Sequence, residues 1–313
     1  MSLPRVAGHP DYSVTGTSMF IPVIWSGKLL TKLYAKNVLA AISNTDYEGE
    51  IKDFGDTVVI RTIPTGTINT YSKGQDLTFE RLESPAISLL IDHGRYFGAV
   101  VDSVDAYQSD IKLLDKWTTM YGELMSNNID THVLASLRGG AHARNVGSTA
   151  GVISQDINLG VAGTALQITK ANVLDFIVDC GVCLGEQNVP KEGAWMVCPE
   201  WFGGIIMKSD LKDASMTGDG KSVLRNGRIG IIWPFEIYLS NQTPSALGSG
   251  GDAARICYDV PFGNKMGLTF ASQFVQTKRF EPERTFGEGI KSLNVFGHQI
   301  TMPEAIGAGY VRK

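Results

Sequence analysis

Charge is scarce in this sequence. Asp, Glu, Lys and Arg make up 19% of 313 residues, against about 25% in ordinary soluble domains. The 28 Lys and Arg nearly balance the 32 Asp and Glu, leaving a formal charge of −4. That excludes a strongly basic nucleic-acid binder and a polyacidic tail. Four cysteines are too few for a disulfide scaffold, so a reducing compartment is expected. No apolar run is long enough to span a membrane. The opening MSLPRVAGHPDYSVTG lacks the basic segment and apolar stretch of a secretory signal. GxSxG, GxxxxGK[ST], HExxH and a GxGxxG following a strand do not occur. What is present is a 43% hydrophobic fraction, enough for a sizeable core, and 35 glycines. Little charge and much Gly suit a protein that hides its surface against copies of itself; they also suit a loop-rich enzyme.

Residues 1 to about 19 read as an extended arm, and Ser26 or Thr31 is a candidate cap for a helix through Leu29, Leu30, Leu33 and Val38. Residues 50–102 read as strands. Asp56 to Ile63 is β-branched and ends at Pro64, Leu77 to Glu80 alternates, and Ala86–Ile91 and Tyr96–Val101 are apolar runs. Between the first two lies the polar stretch TINTYSKGQ, flanked by Gly66 and carrying Gly74, which makes the segment a long hairpin. Its middle has few large apolar residues, so it needs a partner surface to become ordered. Residues 105–137 carry apolar side chains at three- and four-residue steps and predict a helix of roughly 45 Å, with Leu114 and Leu124 facing the core and Gly139-Gly140 ending it. Residues 139–167 read as a loop. Thr169 is the expected cap of a helix through Leu184, Ala194–Cys198 a buried strand, and Glu200–Ser209 a helix. Leu224–Leu239 holds strand-like runs around Asn226-Gly227 and Trp233-Pro234. NQTPSALGSGGD, residues 241–252, reads as a mobile loop. Strands follow from Ile256, with turns at Phe286–Gly289 and Gly297.

No set of residues here points to catalysis, a cofactor or a metal. Cys180 and Cys183 have the CxxC spacing but fall about three turns into a helix, not at its N-terminus, so they read as packing residues. The five histidines, His9, His93, His132, His142 and His298, are scattered in sequence. His132 reads as a packed core residue and His142 as an exposed loop residue. Gly248-Ser249-Gly250-Gly251 only resembles a phosphate cradle. Asp102, Asp105 and Asp110 are ordinary dipole partners at a helix start.

The order of features carries the positive signal. Phe20-Ile21-Pro22-Val23-Ile24-Trp25-Ser26, then Phe54-Gly55-Asp56-Thr57-Val58, then Leu89–Asp92 with Tyr96-Phe97 and Val101-Asp102, follow one another ahead of Asp105–Gln108 and the long helix. Trp195–Pro199, Leu224–Asn241 with its Asn226-Gly227, Gly230 and Ser240-Asn241, and Arg284–Gly297 come later. Together these resemble the major capsid proteins of tailed bacteriophages, the Hong Kong 97 fold. Pro234 departs from the pattern, standing where the family usually has Gly; both residues break a strand.

The resemblance implies an α+β fold with an N-terminal arm and lead-in helix at 1–49 and an extended hairpin, the E-loop, with flanking strands at 50–102. A peripheral domain with a spine helix follows at 103–164, an axial domain at 165–270, and returning strands completing both domains at 271–313. It implies a non-enzymatic head protein that self-assembles, through hexamers and pentamers, into an icosahedral shell around double-stranded DNA. The DNA is held without sequence-specific contacts, and no cofactor, metal or membrane is involved. Thr65, Tyr71, Lys73 and Leu77 on the hairpin are the candidate inter-subunit contacts. Lys73 is the only lysine near the tip, and some relatives cross-link through a lysine in this hairpin. The short arm implies a separate scaffolding protein; a portal and a decoration or cement protein are further expected partners. The location implied is the virion, with host cytoplasm during assembly. An encapsulin-like nanocompartment shell and a soluble α/β enzyme are the competing readings, distinguished by an enclosed enzyme cargo and by a pocket of clustered titratable groups.

Overall fold

In the computed structural model, the structure describes residues 37–46, 57–61, 63–64, 66–81, 83, 86–108, 113–209, 224–225, 228–229, 231–283 and 285–313. The arm, most of the lead-in helix, Thr65 and the side chain of Leu114 lie outside the described residues. Within them, strands β1 (Thr57–Arg61), β2 (Ala86–Leu90) and β3 (His93–Asp102) precede a short helix, Ser103–Gln108, and a long one, Leu113–Gly140. Strand β4 (Leu166–Gln167), the helix Val173–Glu186, strand β5 (Ala194–Cys198) and the helix Glu200–Lys208 follow. The rest is almost all strand: β6 (Leu224–Arg225), β7 (Arg228–Ile229), β8 (Ile231–Ile232), β9 (Phe235–Leu239), β10 (Ser245–Leu247), β11 (Ile256–Asn264), β12 (Leu268–Phe280), β13 (Gly287–Ile300) and β14 (Ile306–Arg312).

Two sheets organise these elements. The larger, seven-stranded and mixed, runs β4-β14-β11-β5-β9-β8, with β10 also on β11. The smaller is antiparallel, β12-β13-β3. All five side chains of β5 are buried, and the reason is that both its faces are covered. Ala194, Met196 and Cys198 enter a core with Phe176, Phe202, Phe235 and Phe262. Trp195 and Val197 enter a different core with Val133, Leu134 and Leu137 of the long helix and Phe296 of β13. The first core is aromatic and interlocked: Phe176–Phe202 and Phe235–Phe262 meet edge to face at 5.9 and 5.8 Å. The long helix is tied to the large sheet by an ion pair between Arg138 and Asp259, and the Arg138 guanidinium lies 4.8 Å from the centre of the Tyr310 ring.

The structure corrects several expectations. Among the described residues, the fully buried side chains of the long helix lie in its C-terminal half; Leu124 is 36% exposed, and Tyr121 stacks on Phe97 of β3 at 5.0 Å. Thr169 is not the cap of the next helix. Its N–H donates to Asn172 Oδ1 at 2.7 Å, and the helix starts at Val173, because the Asn side chain closes a turn that the Thr was expected to cap. Residues 241–252 form β10 and a short 3₁₀ turn that buries Asp252. Asp252 accepts a hydrogen bond from the Ala165 N–H and pairs with Arg312 Nε at 3.1 Å, so a distant cation fixes the loop. Residues 77–80 are extended but outside any ladder, and are exposed. Gly289 and Gly297 are not turns but sit inside β13. A Cβ on Gly297 would lie 2.1 Å from the carbonyl oxygen of Leu90, so Gly here lets β2 cross the small sheet.

Candidate functional site

The hairpin is built from register outward. β1 and β2 pair antiparallel from Thr57↔Leu90 to Arg61↔Ala86, anchored by Ile60 and Leu89 in a small cluster with Ile91 and Ala271. Beyond the ladder two contacts hold the described parts of the limbs together. Six residues further along each limb, the Thr67 N–H donates to Glu80 Oε2 at 3.1 Å. Five residues further again, the Gln75 N–H donates to the Ser72 carbonyl at 3.1 Å, and the Ser72 N–H donates to Gln75 Oε1 at 3.2 Å. The tip is therefore a β-turn with Lys73 and Gly74 at its centre. Gly74 has φ +87°, which the second central residue of a type II turn requires and Gly supplies without strain. The segment is one hairpin with a paired root and two open, extended limbs.

Nothing in the subunit covers those limbs among the described residues. Ile68 is 100% exposed, Ile63 95% and Phe79 87%, alongside Tyr71 at 65% and Leu77 at 62%. Of the sequence candidates, Tyr71, Lys73 and Leu77 are thus on the exposed excursion, and Thr65 lies outside the described residues. Ile63, Ile68 and Phe79 are the side chains that sequence reasoning passed over. The signal for Phe79 was its spacing from Leu77, since alternate residues of an extended limb share a face. Large apolar side chains are exposed elsewhere too: Tyr96 and Leu293, opposite each other across the β3–β13 ladder, and Tyr107 and Phe286.

The other candidates are closed to chemistry. Cys180 and Cys183 are buried on the helix Val173–Glu186. Burial pushes the Cys180 thiol well up, and burial with the Glu186 and Asp179 carboxylates brings Cys183 to about 12, so neither is a thiolate at neutral pH. The Gly248–Gly251 loop runs into the buried Asp252, whose carboxylate would repel a phosphate. Asp102 Oδ1 accepts from the Val104 N–H at 2.8 Å, an ordinary helix-start contact. The histidines, however, are not scattered in space: His93, His132 and His298 converge. Burial and the neighbouring imidazoles hold His298 down at about 4. His132 is lowered as well, by burial first and then by His93 and Arg95. No helix among the described residues is long and apolar enough to cross a membrane.

No protein-family profile matches the chain, and no curated protein does. Solved structures do. The chain is similar to a structure from Mycobacterium phage Che8, with a TM-score of 0.75 and 22% identity over 92% of this chain and 96% of that one. The capsid of the cyanophage P-SCSP1u gives 0.70 and 12% over 98% and 97% of the two chains. The mature capsid of bacteriophage PhiM1 gives 0.64 and 17% over 99% and 96%. The mixed α/β fold described above is the fold of these phage capsid structures.

Proposed function

We propose that this chain is the major capsid protein of a tailed bacteriophage, self-assembling into an icosahedral shell that encloses double-stranded DNA. The observation that carries the proposal is the projecting hairpin. Its root is a paired ladder, its limbs are open, and it presents Ile63, Ile68, Tyr71, Leu77 and Phe79 to no surface of its own subunit among the described residues. A free chain gains nothing from ordering such a segment, at about 1–2 kcal/mol of backbone entropy per residue. A neighbouring copy that covers it supplies the missing burial. The full-length likeness to phage capsid structures supports the same reading.

On this proposal the hairpin is the E-loop lying over a neighbour, with Thr65, Tyr71, Lys73 and Leu77 among its contacts. The helix Leu113–Gly140, about 42 Å long, is the spine of a peripheral domain spanning 103–164. Residues 165–270, carrying most of the large sheet, form the axial domain that meets its copies in hexamers and pentamers, and 271–313 complete both domains. The protein acts by geometry rather than catalysis, holds DNA without sequence-specific contacts, and works with a portal and a separate scaffolding protein. It resides in the virion after assembly in the host cytoplasm.

Negative-stain microscopy of the expressed protein tests this. Closed shells, sheets or tubes of regular subunits are expected. A monomer at all concentrations and ionic strengths overturns the proposal, and shells that enclose a co-purifying enzyme assign the chain to a cellular nanocompartment instead.

A further inference from the structure

The long helix and the small sheet meet at three imidazoles. His132 comes from the helix, His93 from the first position of β3 and His298 from β13. The ring centres are 4.5 Å apart for His93–His132, 5.4 Å for His93–His298 and 5.5 Å for His132–His298. One nitrogen from each ring lies within 4.8 Å of the others. Phe296 packs against His93 at 5.6 Å and His132 at 6.1 Å. Asp92 Oδ1 is 3.4 Å from His93 Nε2.

The hydrogen-bond pattern around Ser136 assigns one tautomer to His298. The Ser136 hydroxyl donates to the Val133 carbonyl at 2.7 Å, so toward His298 Nε2, at 2.9 Å, its oxygen accepts. Nε2 therefore carries the hydrogen and Nδ1 the lone pair. That Nδ1 is buried and has no hydrogen-bond partner among the described residues. A buried acceptor is not ordinarily left unpaired. An imidazole whose far N–H is held by an oriented oxygen while its other nitrogen offers a buried lone pair is arranged as metal-bound histidines are.

We propose that His93, His132 and His298 bind one divalent transition-metal ion of the imidazole-preferring class, with Zn²⁺ as the first candidate, and that the ion pins the long helix to the small sheet. Three His ligands with an open fourth position are an established zinc arrangement. Zn–N bonds of about 2.0–2.1 Å place tetrahedral ligand nitrogens roughly 3.3 Å apart. Binding would require side-chain rotation of the half-buried rings to bring nitrogens now within 4.8 Å to that spacing. The fourth position falls to water or to Asp92. Ser136 is a positioning residue that acts through His298.

The test uses the full chain, stripped of metal by a chelator and titrated with ZnCl₂ by calorimetry, with thermal melting alongside. A saturable site for one Zn²⁺ per chain and a raised Tm are expected. Co²⁺ should give the visible absorption of a tetrahedral nitrogen site. His132→Asn should weaken binding at least about tenfold and abolish the Tm rise, and Ser136→Ala should weaken it about 10- to 100-fold. His142→Asn, outside the cluster, should keep both signals. Circular dichroism checks folding, and His93→Asn carries the same expectation should His132→Asn fail to fold. The absence of a saturable site, or equal Zn²⁺ binding by the wild type and both cluster variants, overturns the proposal.

Discussion

Replacing Ile68 and Phe79 together by Ser separates folding from assembly. Both side chains are almost wholly exposed in the subunit, so the free chain loses no core contact and its stability should move by no more than about 0.5 kcal/mol. In a shell each would be buried on a neighbour. Burying one such side chain is worth about 1.5–3 kcal/mol, so the pair contributes on the order of 3–6 kcal/mol per hairpin contact. At about 1.4 kcal/mol per decade, the association constant should fall by roughly 10²–10⁴. Light scattering against concentration reads this as a rise in the critical concentration, while the Tm of unassembled chain stays put. Limited proteolysis gives a second view: cleavage between 63 and 81 should be rapid in unassembled protein and suppressed in assembled particles. An unchanged critical concentration would refute the reasoning, as would a loss of subunit stability equal to the loss of assembly, which would mean the hairpin packs on its own chain.

Gly297→Ala should destabilise the subunit by about 1–3 kcal/mol, because its Cβ would meet the Leu90 carbonyl oxygen at 2.1 Å; Gly122→Ala, in open space on the long helix, should gain about 0.5–1 kcal/mol, and chemical denaturation compares the two. The cysteines should resist alkylation at pH 8 in folded protein and react fully in denaturant, since burial raises the thiols of Cys180, Cys183 and Cys198; mass spectrometry of labelled chain checks this. Asp252→Ala should cost about 3–5 kcal/mol by leaving the Arg312 guanidinium without its buried partner, seen as a fall in Tm and protease cleavage within residues 244–255.

The elements that could be read from the sequence are those whose cause is local. Ala194–Cys198 is apolar at every position because both faces are covered, and its Pro199 boundary is visible in the chain. The helices Val173–Glu186 and Glu200–Lys208, and the hairpin with its Gly74 tip, are likewise written in spacing and turn residues. Apart from the Thr169 cap, which Asn172 displaces three residues on, the misreadings share a different cause: the deciding partner is distant. Asp252 orders its loop through Arg312, sixty residues on. Leu124 belongs to a periodic helix face, but among the described residues full burial of that face begins only at Ile129. Gly289 and Gly297 read as turns because close approach by Phe280 and Leu90 leaves no trace in the neighbouring residues. The convergence of His93, His132 and His298 depends on a helix crossing a sheet, which no spacing encodes.

Strand β5 sits between two cores, with β11 and β9 on its flanks, and this makes it a septum that neither core can lose alone. Successive residues report to different compartments: a change at Trp195 loosens the side facing the long helix, and one at Met196 loosens the side facing the aromatic cluster. Any opening that frees the backbone between them must part both. The amide hydrogens of this strand should therefore be among the last to exchange with solvent, released only by global unfolding, and the two halves of the subunit should melt as one cooperative unit.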